Sequence, residues 1–250
     1  MKKEVDYSLE NRECIVWYLG HSGWAIKTKN HFLVFDYTEM NTVVTDKEVC
    51  NSFINVAHLK NENVFVFISH QHEDHYDEIV YVWEKQVENI KYILGWENQK
   101  GDKYTCAEAN KVYNIEEIEI TTVESTDDGV GYLVKVDGLS ILHLGDHANW
   151  CLELDSCYKE QIDYIKEKCT EVDIAFVPIA KGSGLRTQSI TEGAVYAINE
   201  LNVKVAFPMH GGGREKLYRE FEEEVKLQLN SSKIICAENP DDMWRFSLQG

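Results

Sequence analysis

In 250 residues, 43 acidic side chains oppose 25 Lys and Arg, leaving a formal net charge of −18 with 44% of the chain apolar. A surface that negative repels phosphate backbones and anionic bilayers, which excludes nucleic acid and membrane partners unless a segregated basic face exists. None is visible: the densest cationic stretch, Lys204 to Arg219, is diluted by Glu and Gly.

The chain opens on Met1 to Glu13, which is charged and lacks the apolar centre of a secretion signal. Short runs of Val, Ile, Phe and Tyr bounded by turn residues then read as strands: Ile15 to Leu19, Trp24 to Lys27, Phe32 to Phe35 and the continuous apolar run Val64 to Ile68. A helix-like segment follows over about Asp77 to Asn89. Strands resume with Ile118 to Val123, Gly131 to Val136 and Leu139 to Leu144, and a helix is expected over Tyr158 to Lys168. Two more buried strands, Asp173 to Val177 and Val203 to Phe207, flank a helix of about Thr191 to Leu201. A last helix, Arg214 to Leu229, precedes a strand near Ile234.

Two stretches share a grammar. Tyr18 to Asp36 reads strand, turn, strand, Asp, and Gly131 to Asp146 reads strand, Asp-Gly turn, strand, Asp. A duplicated β-rich unit predicts two sheets packed face to face with helices outside. No Pro-, Gly- or Ser-rich linker divides the chain, so one domain over residues 1–250 is expected. No run approaches the roughly 20 apolar residues of a membrane helix. Seven cysteines without a CxxC pair suit a reducing cytoplasm better than a disulfide scaffold.

Ser69-His70-Gln71-His72-Glu73-Asp74-His75 carries the chemistry, at the carboxyl end of the Val64 to Ile68 strand. His70 and His72 are two apart, so in extended backbone both rings point to one side. Asp74 and His75 fall on the turn beyond and can diverge to a second point. Three imidazoles and a carboxylate this close suit a borderline divalent ion such as zinc, manganese or iron. The plainer alternative is a polar turn that happens to be rich in His. Only nine His occur in the whole chain, and three of them gather here at the end of a buried strand, which favours the metal.

His70-x-His72-x-Asp74-His75 resembles the signature of the metallo-β-lactamase superfamily. Tyr18-Leu19-Gly20-His21-Ser22-Gly23 resembles the opening of its branch of ascorbate-phosphate lactonase-like proteins and metal-dependent hydrolases. Ile141-Leu142-His143-Leu144-Gly145-Asp146 is similar to the strand that delivers a bridging aspartate. Phe176-Val177-Pro178-Ile179 and Phe207-Pro208-Met209-His210 resemble the two late strands, the second ending in the last metal His. The resemblance spans about residues 14–211. It implies an α+β fold, a four-layer αββα sandwich with the site along one edge between the sheets. It also implies one or two divalent ions, zinc first, with manganese or iron as alternatives. His70 and His72 would hold the first, Asp74, His75 and His210 the second, and Asp146 would bridge.

One departure matters. The first ion in this family takes a third His from the loop after the strand that is Ile118 to Val123 here. This chain reads Glu124-Ser125-Thr126-Asp127-Asp128-Gly129, without His. Asp127 is the expected substitute, Glu124 the alternative, and a first position without a ligand from this loop the third possibility. An oxygen donor moves preference from zinc toward manganese or iron. His147, directly after Asp146, could supply the missing ligand or line the pocket. His143 reads equally as a core residue, and His31 and His58 as structural or exposed.

As a ligand, Asp74 could orient a water or take its proton, with His21 beside the metals orienting a ligand or donating to substrate. Lys181 and Arg186, in Lys181-Gly182-Ser183-Gly184-Leu185-Arg186, could hold an anionic group of the substrate, although an ordinary exposed loop is the plainer reading. Trp150 and Trp24 could floor an apolar pocket or simply pack in the core. The constellation prepares hydrolysis of a small ester, lactone or phosphorylated metabolite by direct attack of water. A metal- or ligand-binding module with little catalysis is the alternative. A nuclease of the same superfamily is a weaker one, since it needs a basic surface.

Overall fold

Apolar strands buried on both faces decide the architecture. The computed structural model describes residues 8–39, 54, 56–96, 101–179, 187–240 and 242–248. β1 (Glu13–Gly20), β2 (Gly23–Lys27) and β3 (His31–Phe35) form an antiparallel meander. From β3 the sheet continues parallel through β4 (Asn63–Ile68), β5 (Ile90–Leu94) and β6 (Tyr104–Cys106). β7 (Val112–Ile115), β8 (Ile118–Glu124), β9 (Val130–Val136) and β10 (Leu139–His143) repeat the antiparallel half. β11 (Ile174–Pro178), β12 (Val205–Met209) and β13 (Lys233–Ile234) then run parallel to β10, while β14 (Met243–Ser247) pairs with β1. The orders β14-β1-β2-β3-β4-β5-β6 and β7-β8-β9-β10-β11-β12-β13 match position by position, with β3 and β10 central. The shared pattern that ends in Asp36 and Asp146 is therefore the middle of each sheet.

In β4, Phe65 and Phe67 enter the core between the sheets while Val64, Val66 and Ile68 pack outward, which is why the run has no polar face. Outside the second sheet lie α1 (Asp155–Lys168) against β8, α2 (Thr187–Glu200) against β11 and α3 (Lys216–Val225) against β12. Outside the first, the described layer is 3-10 helix, Val56–Leu59 and Glu78–Lys85. The αββα order is present, with 3-10 turns where one α layer was expected. Glu78–Lys85 is rich in Ile, Val, Tyr and Trp, which are poor helix formers. Its buried Val80 and Trp83 are three apart, the spacing a three-residue turn aligns.

The sequence pattern showed no strand at β5, β6, β7 or β14. β7 and β14 lie at sheet edges and alternate exposed with half-buried residues, so their mixed composition carries little period-2 signal. Among the described residues no helix is long and apolar enough to cross a membrane. Within the first sheet β1, β3 and β4 run the same way, as do β8, β10 and β12 in the second. Residues that follow these strands gather at one edge.

Candidate metal centre

Five loops meet at that edge: His21 follows β1, Asp36 follows β3, His70 to His75 follow β4, Asp146 follows β10 and His210 follows β12. Backbone strain marks the place. His21 (φ 49°), Asp36 (φ 44°) and His210 (φ 68°) hold the left-handed conformation that residues with side chains seldom adopt. Gly145 (φ 55°) lets the Asp146 loop press on Ser69, where a Cβ would come within 2.7 Å of the Ser69 Cβ.

After β4 the chain reverses through hydrogen bonds from the His75 and Tyr76 N–H groups to the His72 carbonyl (2.9 and 3.0 Å). The reversal divides the motif between two points. One gathers donor atoms of His70, His72 and Asp146, the other those of His21, Asp74, His75 and His210, all within 4.8 Å of one another in each group. Asp146 stands between them. Its Oδ2 is 3.6 Å from His70 Nε2, and its Oδ1 is 3.1 Å from His75 Nε2 and 3.2 Å from His210 Nε2. Yet His70 Nε2, His75 Nε2 and Asp146 Oδ1 are buried without an aligned hydrogen-bond partner among the described residues. Buried polar atoms are costly in that state, and these converge on common points, as ligands of a cation do.

Asp36 decides which nitrogen two of the imidazoles offer. Its Oδ2 accepts from Ser69 Oγ and from His75 Nδ1, both at 2.8 Å, and its Oδ1 accepts from the Ser69 N–H at 2.7 Å. Ser69 Oγ, its proton committed to Asp36, accepts in turn from His70 Nδ1 at 2.9 Å. Both rings therefore carry a proton on Nδ1 and turn Nε2 to the site. His21 is set the opposite way. Its Nδ1 accepts from the Gly212 N–H (3.0 Å), so Nε2 bears hydrogen and faces Asp74 Oδ2 at 3.1 Å. Although it lies with the second group, His21 turns a protonated Nε2 toward it, and that atom is buried without an aligned partner among the described residues.

Charge follows the same layout. Burial works to raise the Asp36 carboxyl, but the imidazoles of His143, His75 and His70 outweigh it and hold it below the ordinary range. Burial also opposes a charged His75, and Asp146 and Asp36 outweigh it, lifting the ring to about 10. The His21 contact draws Asp74 below the usual carboxylate range against opposing burial. Asp146 is held far below that range by His210 and His75 despite its burial. Three carboxylates kept as anions among imidazoles suit a divalent cation that displaces the protons they share.

Not every predicted residue joins the two groups. Glu124, Asp127 and Asp128 are all exposed and outside both. The Asp127 N–H turns back to Ser125 Oγ (3.1 Å), and it is Asp128 whose Oδ2 approaches His72 Nε2, at 3.5 Å. His147 is buried, stacked on Tyr158 at 4.7 Å, and accepts at Nδ1 from the Thr126 N–H (3.2 Å), with burial pushing it down to about 4. It anchors the 125–129 loop and supplies no ligand to either group. His143 donates from Nε2 to the Ser22 carbonyl (2.9 Å) and accepts at Nδ1 from the Gly145 N–H (3.2 Å), a satisfied core residue. Lys181 and Arg186 lie outside the described residues. Trp24 is in the core against Phe176 and Phe207, while Trp150 donates to the Asp146 carbonyl (2.9 Å) and lies 5.8 Å from the His210 ring. Asp36 was not among the residues expected to matter. Its signal was present as the counterpart of Asp146 in the repeated strand pattern.

Comparison with known proteins bears on the fold and the family. A family model described as a β-lactamase superfamily domain matches residues 15–210. A UPF0173 metal-dependent hydrolase of Pyrococcus furiosus is 23% identical over 234 residues, covering 88% of this chain and 94% of that one. Among solved structures, Igni18, a metallo hydrolase from Ignicoccus hospitalis, superposes with a TM-score of 0.68 at 20% identity, over 95% of this chain and 100% of that one. YhfI from Bacillus subtilis, a metallo-β-lactamase fold protein, gives a TM-score of 0.63 at 12% identity, over 94% and 100%.

Proposed function

From a chain that belongs to the metallo-β-lactamase superfamily, we infer a metal-dependent hydrolase acting on a small ester, lactone or phosphorylated metabolite. The observation that carries this reading is the convergence of the buried, partnerless Nε2 atoms of His70 and His75 on the two oxygens of Asp146. In it, His70, His72 and Asp146 would hold one divalent ion and Asp74, His75, His210 and Asp146 the other. Zinc is the first expectation, and the oxygen donors also suit manganese or iron. When bound, such ions supply Lewis-acid polarisation of a carbonyl or phosphoryl oxygen and acidify water.

The chain's own groups do the rest. Asp74, half-exposed and drawn below the usual carboxylate range beside His21, would orient the attacking water or take its proton. Asp36 and Ser69 keep His70 and His75 in the tautomer that leaves Nε2 toward the ions. Trp150 ties down the Asp146 carbonyl and stands beside His210 at the rim. A net charge of −18 supports a small-molecule substrate over nucleic acid. Free cysteines among the described residues support a reducing, cytoplasmic setting.

The test is to strip the protein with chelator, reload it with zinc or manganese, and assay panels of esters, lactones and phosphate esters. Activity should vanish on stripping and return on reloading. Full metal occupancy without turnover in any class would favour a metal-binding module of the same fold instead.

A further inference from the structure

The two metal positions differ in how completely the protein builds them. The second is enclosed: His75 is buried, Asp36 fixes its tautomer and His21 faces Asp74. The first is open, with the side chains of His72 and Asp128 53% and 70% exposed, while His70 Nε2 beside them is buried and partnerless. His70, His72 and one oxygen of Asp146 make three protein donors, and the neighbouring loop 124–129 carries no imidazole.

The loop 125–129 is pinned on both sides of that opening. Gly129 (φ 71°) lies so close to β4 that a Cβ would fall 1.9 Å from the Ser69 carbonyl oxygen and 2.8 Å from the His70 Cβ. The next residue, Val130, donates its N–H to the same Ser69 carbonyl (3.1 Å). At the other end Thr126 Oγ1 donates to the Ala148 carbonyl (2.6 Å) and accepts from the Ala148 N–H (3.0 Å), while the Thr126 N–H reaches His147 (3.2 Å). The loop thus spans from the backbone of one ligand, His70, to the segment after another, Asp146. Within it Asp127 turns back to Ser125 and Asp128 turns to His72.

We propose, resting on the hydrolase reading above, that Asp128 is the protein's remaining donor to the first metal position, taking the place of an imidazole. Asp128 Oδ2 stands 3.5 Å from His72 Nε2, although it lies outside the tighter group of His70, His72 and Asp146. A carboxylate on an exposed loop must be ordered when the ion binds, so this position holds its ion more weakly than the enclosed one. Its oxygen donor also shifts preference from zinc toward manganese or iron(II). The protein then has one resident ion and one exchangeable ion.

The experiment is calorimetric titration of the chelator-stripped full chain with Zn²⁺ and with Mn²⁺, with equivalents counted by elemental analysis after dialysis. One tight and one weaker equivalent are expected. Asp128→Asn should weaken the weaker equivalent, at the first position, roughly tenfold or more and leave the tight one unchanged. Asp127→Asn should leave both, and Asp128→His should strengthen the weaker equivalent for Zn²⁺ relative to Mn²⁺. Thermal melting of these exposed-site variants should match the unaltered chain. An Asp128→Asn protein that titrates like the unaltered one, or an Asp127→Asn protein that shows the loss instead, overturns the assignment and leaves the hydrolase reading standing. No metal uptake by the unaltered chain overturns both.

Discussion

The two edges of the sandwich bury carboxylates equally well and treat them in opposite ways. At the edge away from the metal centre, Asp137 accepts from Thr28 Oγ1, the Asn30 N–H, Asn30 Nδ2 and His31 Nδ1 at 2.6 to 3.0 Å. Asp173, there too, accepts from Arg12, the Ser140 N–H and hydroxyl, and Lys204. At the other edge Asp146 sits among His70, His75 and His210 at comparable distances, yet its Oδ1 has no aligned donor. Among the described residues none of the buried partnerless side-chain atoms belongs to the Asp137 edge. Buried charge alone therefore does not mark a functional site in this molecule. Convergence without satisfaction is what supports the candidate one, because a structure that only needed stability would have supplied the donors.

Substitution should separate the two edges. Asp146→Ala is expected to have the largest effect on activity. It removes a donor from both metal positions, and losing several kcal/mol of Lewis-acid stabilisation corresponds to roughly a thousandfold in kcat/KM. Elemental analysis should show the metal gone while the melting temperature of the stripped protein changes little. Asp173→Ala should do the reverse. It leaves Arg12 and Lys204 without their buried partner and costs about 3 kcal/mol by urea unfolding, with metal content unchanged. If instead Asp173→Ala loses metal and Asp146→Ala loses stability, the contrast between the edges collapses.

Asp36→Asn asks whether satisfied and unsatisfied groups are linked within one edge. An amide cannot accept from both Ser69 Oγ and His75 Nδ1 as the carboxylate does, so His75 loses the partner that fixes its tautomer and Ser69, which holds His70, loses its own acceptor. Metal affinity should fall between about tenfold and a hundredfold, read by competition with a chromophoric chelator, while circular dichroism stays unchanged. An unchanged affinity would mean that His70 and His75 are oriented by packing alone.

Much of the metal edge was legible in the sequence because its signal is local. His70, His72, Asp74 and His75 sit on one turn, and two-residue spacing on extended backbone followed by a reversal splits them as expected. Asp36 was harder. It lies more than thirty residues from the motif and only the sheet pairing of β3 with β4 brings it under Ser69. Which of the adjacent acids Asp127 and Asp128 approaches His72 is finer still, since the Thr126 tether and the left-handed turn at Gly129 set the course of the loop. In the fold, central strands with two buried faces announced themselves, whereas edge strands β7 and β14 did not. The 3-10 layer escaped because residue periodicity does not distinguish three residues per turn from 3.6 over so short a segment.

The smallest expected effect concerns how the satisfied edge depends on pH. Burial works to raise the Asp137 carboxyl, but His31, Thr28 and Asn30 outweigh it and draw it below the ordinary range. The folded chain thus takes up this proton at lower pH than the unfolded chain, whose Asp titrates near about 3.9. Between those values the unfolded state holds more protons, so stability rises with pH. The contribution is complete above the unfolded value and is lost as pH falls through it toward the folded one. Asp137→Asn cannot titrate, and should be less stable than the unaltered chain at neutral pH by about 1–2 kcal/mol. That gap should close as the pH falls below about 4, measured as urea midpoints along a pH series. Asp36, Asp74 and Asp146 titrate in both proteins alike, so the difference between the two curves isolates the Asp137 edge. A gap that stays constant with pH would place the stabilisation in hydrogen-bond geometry rather than charge. The two edges would then differ in which donors are present and not in how each holds its anions.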